Sequence, residues 1–418
     1  MIEIARRDIL AGGGGLALLA GARSSAASVT VDGPVKSVTA TDFGAAGDGT
    51  TDDTDAIRRT LETALTSKDV HMAVIPPGRY RITRTIRIVT EGRPEGNITH
   101  QTGVQGAGAM LVSDISDGSP VVEIVCRATL RFFLIDGLQI KGNGSEGHGI
   151  SIQCNHRGTY FYNFCLRDVI VEGCGGDGCR MIGNVFEGQL FNTYFRDNGG
   201  NGATFGHGPE NTVFSAVHVF GSVFGGNGKS GVRMIDGAAD VSFHGCYFLL
   251  NKKFGLSADT GCTLLSHCGF ENNHMASESF ANGDAGLRLM VGGTLISCTA
   301  YSIYHQTHLI RSYVSNSLTM VGCTADGGQE AAAARLANLD GEPNADINII
   351  GCSGGVDRKA ATDITSIGAG ARFGGDWDSS NLPWLGNYCL WIDDAGRLRV
   401  KRGRPEHDAD GWTLNGQG

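Results

Sequence analysis

One phrase keeps returning in this chain, and its return limits what the chain can fold into. "Apolar-x-x-Cys" stands at Phe243/Cys246, Leu265/Cys268, Leu295/Cys298, Met320/Cys323 and Ile349/Cys352, with the cysteines 22, 30, 25 and 29 residues apart. Upstream, Ser222, Thr193, Val169 and Leu138 keep the frame with other small or apolar residues. Two residues beyond this column come Ile140, Val171, Phe195, Phe224, Phe248 and Phe270. Three further on come Asn143, Cys174, Asn198, Asn227, Asn251 and Asn273. Four after these, Gly178, Gly202, Gly231 and Gly255 recur.

Self-similarity on this scale belongs to solenoids, in which each unit buries its core face only against its neighbours. The units here are short alternating stretches such as "GVRMI" (231–235) and "FHGCYF" (243–248). They are rich in β-branched and aromatic residues and carry no sustained 3.6-residue period, so the turns are built from strands. Gly and Asn are expected at corners with positive φ, where they cost least. The chain holds 64 glycines in 418 residues but only 9 prolines. That share is about twice the ordinary one of roughly 7%, and its scatter excludes collagen and flexible linker. The expected fold is all-β: a parallel β-helix in which like residues form internal columns. The cysteine column reads as free, buried thiols, because no C-x-x-C knuckle or histidine spacing suits a metal.

The open ends of such a stack need covers. "TDFGAAGDGTTDDTDAIRRTLETAL" (41–65) supplies one. Asp52 or Asp53 can cap a helix whose Ile57, Leu61, Ala64 and Leu65 form one apolar stripe. The acidic cluster Asp48, Asp52, Asp53 and Asp55 therefore reads as capping and turn chemistry. "YCLWIDDAGRLRVKRG" (388–403) reads as a C-terminal hairpin turning at Asp393–Gly396. This region, 356–418, is expected to be a cap or an oligomer contact, with a homotrimer as the assembly.

"DFGAAGDGTTDDTDAI" (42–57) followed by "VIPPGRYRI" (74–82) resembles the start of the pectate-lyase-like, right-handed parallel β-helix proteins. These include pectin-acting lyases and hydrolases, alginate epimerases, fructotransferases and phage tailspike depolymerases. The resemblance spans roughly residues 38–355 and implies a right-handed β-helix acting on polysaccharide. It also implies a substrate cleft on the outer face of the strand that follows the repeated Gly.

Residues two positions after each Gly should then face solvent: Ser151, Arg180, Thr204, Arg233, Ser257 and Arg288. Arginines on alternate turns would stand about 10 Å apart, a spacing suited to a stretched anionic sugar chain. The strand ends add His207, Glu210 and Asp236, and Asp259 lies one turn beyond Asp236. Two readings of the chemistry follow. In β-elimination, Arg233 flanked by Arg180 or Arg288 both neutralises a uronate carboxylate and supplies the base near the C5 proton, with Ca²⁺ at Asp236 or Asp259 as the cation such a site can use. In glycoside hydrolysis or transfer, Asp236 and Asp259 act as paired carboxylates and His207 assists the proton. The elimination reading is preferred because the arginines recur in register while the acids do not. Arg233, Asp236 and Asp259 are thus the catalytic candidates, and Arg180, Arg288, His207 and Glu210 the substrate-binding ones. The chain lacks the "DPH" triplet of alginate epimerases. A non-catalytic glycan-binding surface protein is the third reading, and a purely structural envelope protein the fourth.

A net charge of −9 argues against general binding to nucleic acid or an anionic membrane. At the N-terminus, "ARRDILAGGGGLALLAGARSSAAS" (5–28) resembles a twin-arginine export signal over residues 1–27, with cleavage near Ala27. Its apolar stretch is too short for stable membrane insertion. The expected location is periplasmic or secreted.

Overall fold

Nearly every short alternating stretch becomes one strand of a right-handed parallel β-helix. The structure is a computed structural model. It describes residues 36–67, 70–91, 102–209, 212–235, 237–259, 263–273, 285–289, 292–301, 308–314, 317–326, 335–341, 346–358, 364–367, 371–373, 384–385, 388–392, 398–402 and 411–413. The export segment therefore lies outside the described residues, as does the hairpin turn at 393–396.

Three long sheets run side by side. Sheet 1 extends from Lys36–Thr39 to Ile364–Ile367, sheet 2 from Asp48–Asp52 to Thr324–Asp326, and sheet 3 from Ile86–Val89 to Ala371–Phe373. One coil visits them in that order, as Phe214–Phe220, Val223–Gly225 and Val232–Met234 do. Each strand pairs in parallel with its counterpart one coil away, so the backbone of one coil is satisfied by the next.

The predicted column is continuous. The carbonyls of Leu138, Val169, Thr193, Ser222, Cys246, Cys268, Cys298 and Cys323 each accept an N–H from the following coil. Inside it, Phe224 stacks on Phe248 at 5.3 Å and Phe248 on Phe270 at 4.8 Å. The five cysteines of the column are free and buried. Their thiols donate to nearby carbonyls, as Cys268 does to Phe243 O at 3.4 Å. Burial also pushes the Cys179 thiol well above its ordinary range. A thiol-specific reagent should therefore leave the column's five cysteines unmodified in the native protein and label them in denaturant, read site by site by mass spectrometry.

The structure corrects one reading. Gly178, Gly202, Gly231 and Gly255 are not the positive-φ corners. Gly178, Gly202 and Gly231 are glycine because the next coil leaves no room. A Cβ on Gly202 would sit 2.5 Å from Gly231 O and 2.8 Å from the Asn227 amide nitrogen. Nor do Asn198, Asn227 and Asn251 adopt positive φ; they are buried and hydrogen-bonded to one another. Left-handed residues instead form two corner series: Asp168, Asn192, Gly221, Gly245 and His267 where sheet 1 turns into sheet 2, and Gly173, Asp197, Gly226, Leu250 and Asn272 directly before the Asn column where sheet 2 ends.

The cap helix, Thr54–Thr66, buries Ile57, Leu61, Ala64 and Leu65 over the end of the stack. Asp52 performs the capping, accepting from Thr54 N at 3.1 Å, while Asp53 turns back to accept from Ala46 N and Gly47 N. Asp48, Asp52 and Asp53 are thus occupied by turn and cap hydrogen bonds, and Asp55 pairs with Arg58 and Arg84. At the far end, the parallel ladder runs past residue 355 through Ile364–Ile367 and Ala371–Phe373. Tyr388–Ile392 and Leu398–Arg402 then form the expected hairpin within a four-stranded antiparallel sheet.

Candidate functional site

Sheet 3 strands are short, and their inner positions are fixed by the core. Val232 and Met234 are buried, so Arg233 between them must face outward. The same alternation, carried by register, places Ser151, Arg180, Thr204, Arg233, Ser257 and Arg288 in one column on the outer side of the core, but only the three arginines reach solvent, because Ser151, Thr204 and Ser257 are short and buried among their neighbours.

Two charged clusters form on this face. In the first, Asp259 lies between two arginines. Arg233 Nη2 pairs with Asp259 Oδ2, and Arg288 Nη1 donates to Oδ1 at 2.8 Å. Both guanidinium groups also donate to Ser257 Oγ, at 3.1 and 3.2 Å. Arg288 lies 5.9 Å over the Phe254 ring. The Arg233 hydrogen bond, reinforced by the charges of both arginines, holds the Asp259 carboxyl below its usual range despite partial burial. Asp259 is therefore a fixed carboxylate that orients two arginines, a role unlike that of a proton donor.

The second cluster was not read from the sequence. Asp177 is buried and accepts from Asn201 N at 2.7 Å and Thr204 Oγ1 at 2.8 Å. His148 accepts the Asp177 backbone N–H at Nδ1, 2.9 Å away. A neutral ring in this setting carries its proton on Nε2. Burial is the main reason the His148 pKa is lowered, opposed by Asp177 and aided by Arg180 and Lys229. Arg180 stands 3.8 Å from Asp177 Oδ2, more loosely held than Arg233 or Arg288. One pattern could have revealed this cluster: the residue before each repeated Gly is polar in four coils running, at His148, Asp177, Asn201 and Ser230.

Between the clusters lies a floor of small and apolar groups. Ile235 covers Gly206 so closely that a Cβ there would meet Ile235 Cγ1 at 2.0 Å. At the edge leading back to sheet 1, His207 packs against Gly237, and its buried Nδ1 has no hydrogen-bond partner among the described residues. Asp236 and Glu210 lie outside the described residues. Asp177 and Asp259 are three coils apart, about 14 Å by strand spacing. That exceeds the roughly 6.5–9.5 Å of inverting carboxylate pairs, so these two do not form one. Among the described residues no group of three or more His, Cys, Asp or Glu side chains could hold a metal ion. Both Asp259 oxygens are already engaged by arginine, so the described residues do not fit Ca²⁺ here.

The histidine shifts have a consequence for stability. The pKa values of His148 and His244 are both lowered, by burial first, so the folded protein resists protonating them while the unfolded chain does not. Their contribution is constant above the unfolded value of about 6.5 and turns unfavourable as pH falls below it. The denaturation midpoint should drop between pH 7 and pH 5, and His148→Gln should flatten that drop.

The family model described as rhamnogalacturonase A/epimerase, pectate lyase-like, matches residues 37–257. A capsule depolymerase model matches residues 319–416. No curated protein matches the sequence. Among solved structures, ORF18 of Geobacillus virus E2 aligns with a TM-score of 0.58 at 19% identity, covering 87% of this chain and 66% of that one. This chain thus spans slightly less than two thirds of that protein. The Agl-KA catalytic domain aligns with a TM-score of 0.52 at 13% identity, over 82% of this chain and 69% of that one. At these identities the likeness is one of fold. No described helix is long and apolar enough to cross a membrane.

Proposed function

Because the chain belongs to the rhamnogalacturonase A/epimerase, pectate-lyase-like family, whose model matches more than half of it, we propose that it cleaves an acidic polysaccharide by β-elimination on the outer face of sheet 3. The observation that carries this reading is the arginine column, in which Asp259 and Ser257 hold Arg233 and Arg288 side by side. Arginine binds a carboxylate in a planar fork, and a pair already oriented stabilises charge without reorganising.

A uronate carboxylate bound there has its charge neutralised, which acidifies the adjacent C5–H. A base takes that proton, the C–H electron pair forms the C4=C5 double bond, and the C4–O bond breaks. The leaving oxygen takes a proton to become a new hydroxyl. We assign the base to Asp236, since Asp259 is committed to its arginines. Arg180, which like His148 stands beside Asp177, receives a neighbouring sugar. His207 borders the chain at the strand end, and Glu210 is assigned to substrate binding beside it in sequence. The alternative of hydrolysis or transfer would also run through Asp236, with His207 assisting. A twin-arginine signal over residues 1–27 would bring the enzyme to extracellular polysaccharide, and a homotrimer is the proposed assembly.

Incubation with a panel of acidic and neutral polysaccharides tests the reading. The expected result is ultraviolet absorbance from an unsaturated uronate product on an acidic polymer. New reducing ends without that absorbance would replace elimination by hydrolysis, and neither signal on any polymer would remove the catalytic reading.

A further inference from the structure

The corner where sheet 1 turns into sheet 2 carries a groove that the sheet 3 site does not use. This is the one corner of the coil that sheet 3 does not share. The groove has an open volume of about 740 Å³ and crosses four coils. Its size falls within the ordinary range for ligand sites, about 300–1,000 Å³. Asp136, Gln139, Arg167, Asp168, Asn192 and Tyr194 supply its polar lining.

The groove opens here for a local reason. The corner residue is Gly137, with φ +73°, and carries no side chain, whereas the next two coils place Asp168 and Asn192 at the equivalent left-handed position. A Cβ on Gly137 would come within 2.8 Å of Ala107 Cα, so the floor cannot be filled by a side chain.

The lining's chemistry selects the ligand. Arg167 is already forked onto Asp136, donating from Nε at 2.9 Å and from Nη2 at 2.6 Å. Asn192 donates to one oxygen of Asp168 at 2.6 Å. The other Asp168 oxygen and the Asn192 carbonyl remain as acceptors. The Gln139 amide and the Tyr194 hydroxyl have no partner among the described residues, so they offer donors and acceptors together. The lining's formal charge is negative, with two carboxylates against one paired guanidinium, which disfavours a polyanion. A hydroxyl-rich, uncharged chain fits both the mixed donors and acceptors and the charge. The outward column continues from Tyr194 through Val223 to Tyr247, which is 57% exposed, about 10 Å further along the axis.

We propose that this corner groove binds an uncharged glycan, separately from the acidic chain on sheet 3. The proposal does not depend on the elimination chemistry. The test is affinity electrophoresis of the full chain through gels containing galactomannan, xyloglucan, dextran, mixed-linkage glucan or polygalacturonate. The expected result is retardation by at least one neutral polymer. The double variant Gln139→Ala/Tyr194→Ala should weaken that retention at least about tenfold, and Arg233→Ala should leave it intact. The closer-shaped pair Gln139→Glu/Tyr194→Phe should weaken it too, which keeps the test informative if the alanine pair fails to fold. A wild-type protein that no neutral polymer retards would overturn the proposal, as would variants retained equally well. Neither outcome bears on the elimination assay, whose readout is product absorbance.

Discussion

Arg233→Ala is expected to lower turnover on the acidic polysaccharide by about 10²–10³-fold, the size of effect seen when one preorganised donor to developing charge is removed. Arg233 contacts both Ser257 and Asp259, and its loss leaves Arg288 alone on the shared carboxylate. Stability should change little, because the pair is partly solvent-exposed and such pairs contribute about 0–1 kcal/mol. Arg233→Lys should recover little activity, since an ammonium cannot reproduce the fork to Ser257, Asp259 and a bound carboxylate. Initial rates from product absorbance, with thermal unfolding measured alongside, separate the two effects. Unchanged turnover in Arg233→Ala would remove the arginine column from the mechanism.

The largest expected loss of stability comes from Asn227→Ala. Asn227 is fully buried and donates to Phe195 O at 3.1 Å and Asn251 Oδ1 at 2.9 Å. Its own carbonyl accepts from Asn198 N and Asn198 Nδ2. Alanine leaves the Asn198 N–H without its acceptor and interrupts a ladder that extends to Asn273. Each buried group left unpaired costs about 1–3 kcal/mol, so a loss of about 3 kcal/mol is expected from chemical denaturation. Asn227→Asp keeps the shape but removes the two donors and buries a carboxyl. Burial raises that carboxyl's folded pKa above its unfolded value of about 3.9. The aspartate variant should therefore lose stability as pH rises, the opposite of the histidine-driven trend. Wild-type-like midpoints for both variants at pH 7 would show that the asparagine ladder carries no structural weight.

Much of the fold was legible because a solenoid writes its tertiary contacts as sequence period. The column through Ser222, Cys246 and Cys268 could be found without coordinates, since in-register stacking demands the same kind of residue once per coil. What that period could not reveal was the reason for each choice. Asn and Gly looked like strained corners, yet their recurrence comes from a buried amide ladder and from the close approach of the next coil. Both causes select the same residues, so only the backbone geometry separates them.

The site was legible in part for the same reason. Alternation within each strand determined that Arg180, Arg233 and Arg288 share one face, because Cβ direction reverses at every residue once the core side is known. The state of Asp259 was undetermined by sequence. It became a clamped anion only when arginines 26 and 29 residues away in the chain reached it from the coils on either side. His148 meets Asp177 across a similar separation of 29 residues. Sequence alone thus settled the coil, its columns and which way each side chain faces, since these follow from local alternation and repeat. Tertiary structure decided which charges meet and which protons they hold, because those depend on side chains from different coils converging within hydrogen-bonding distance.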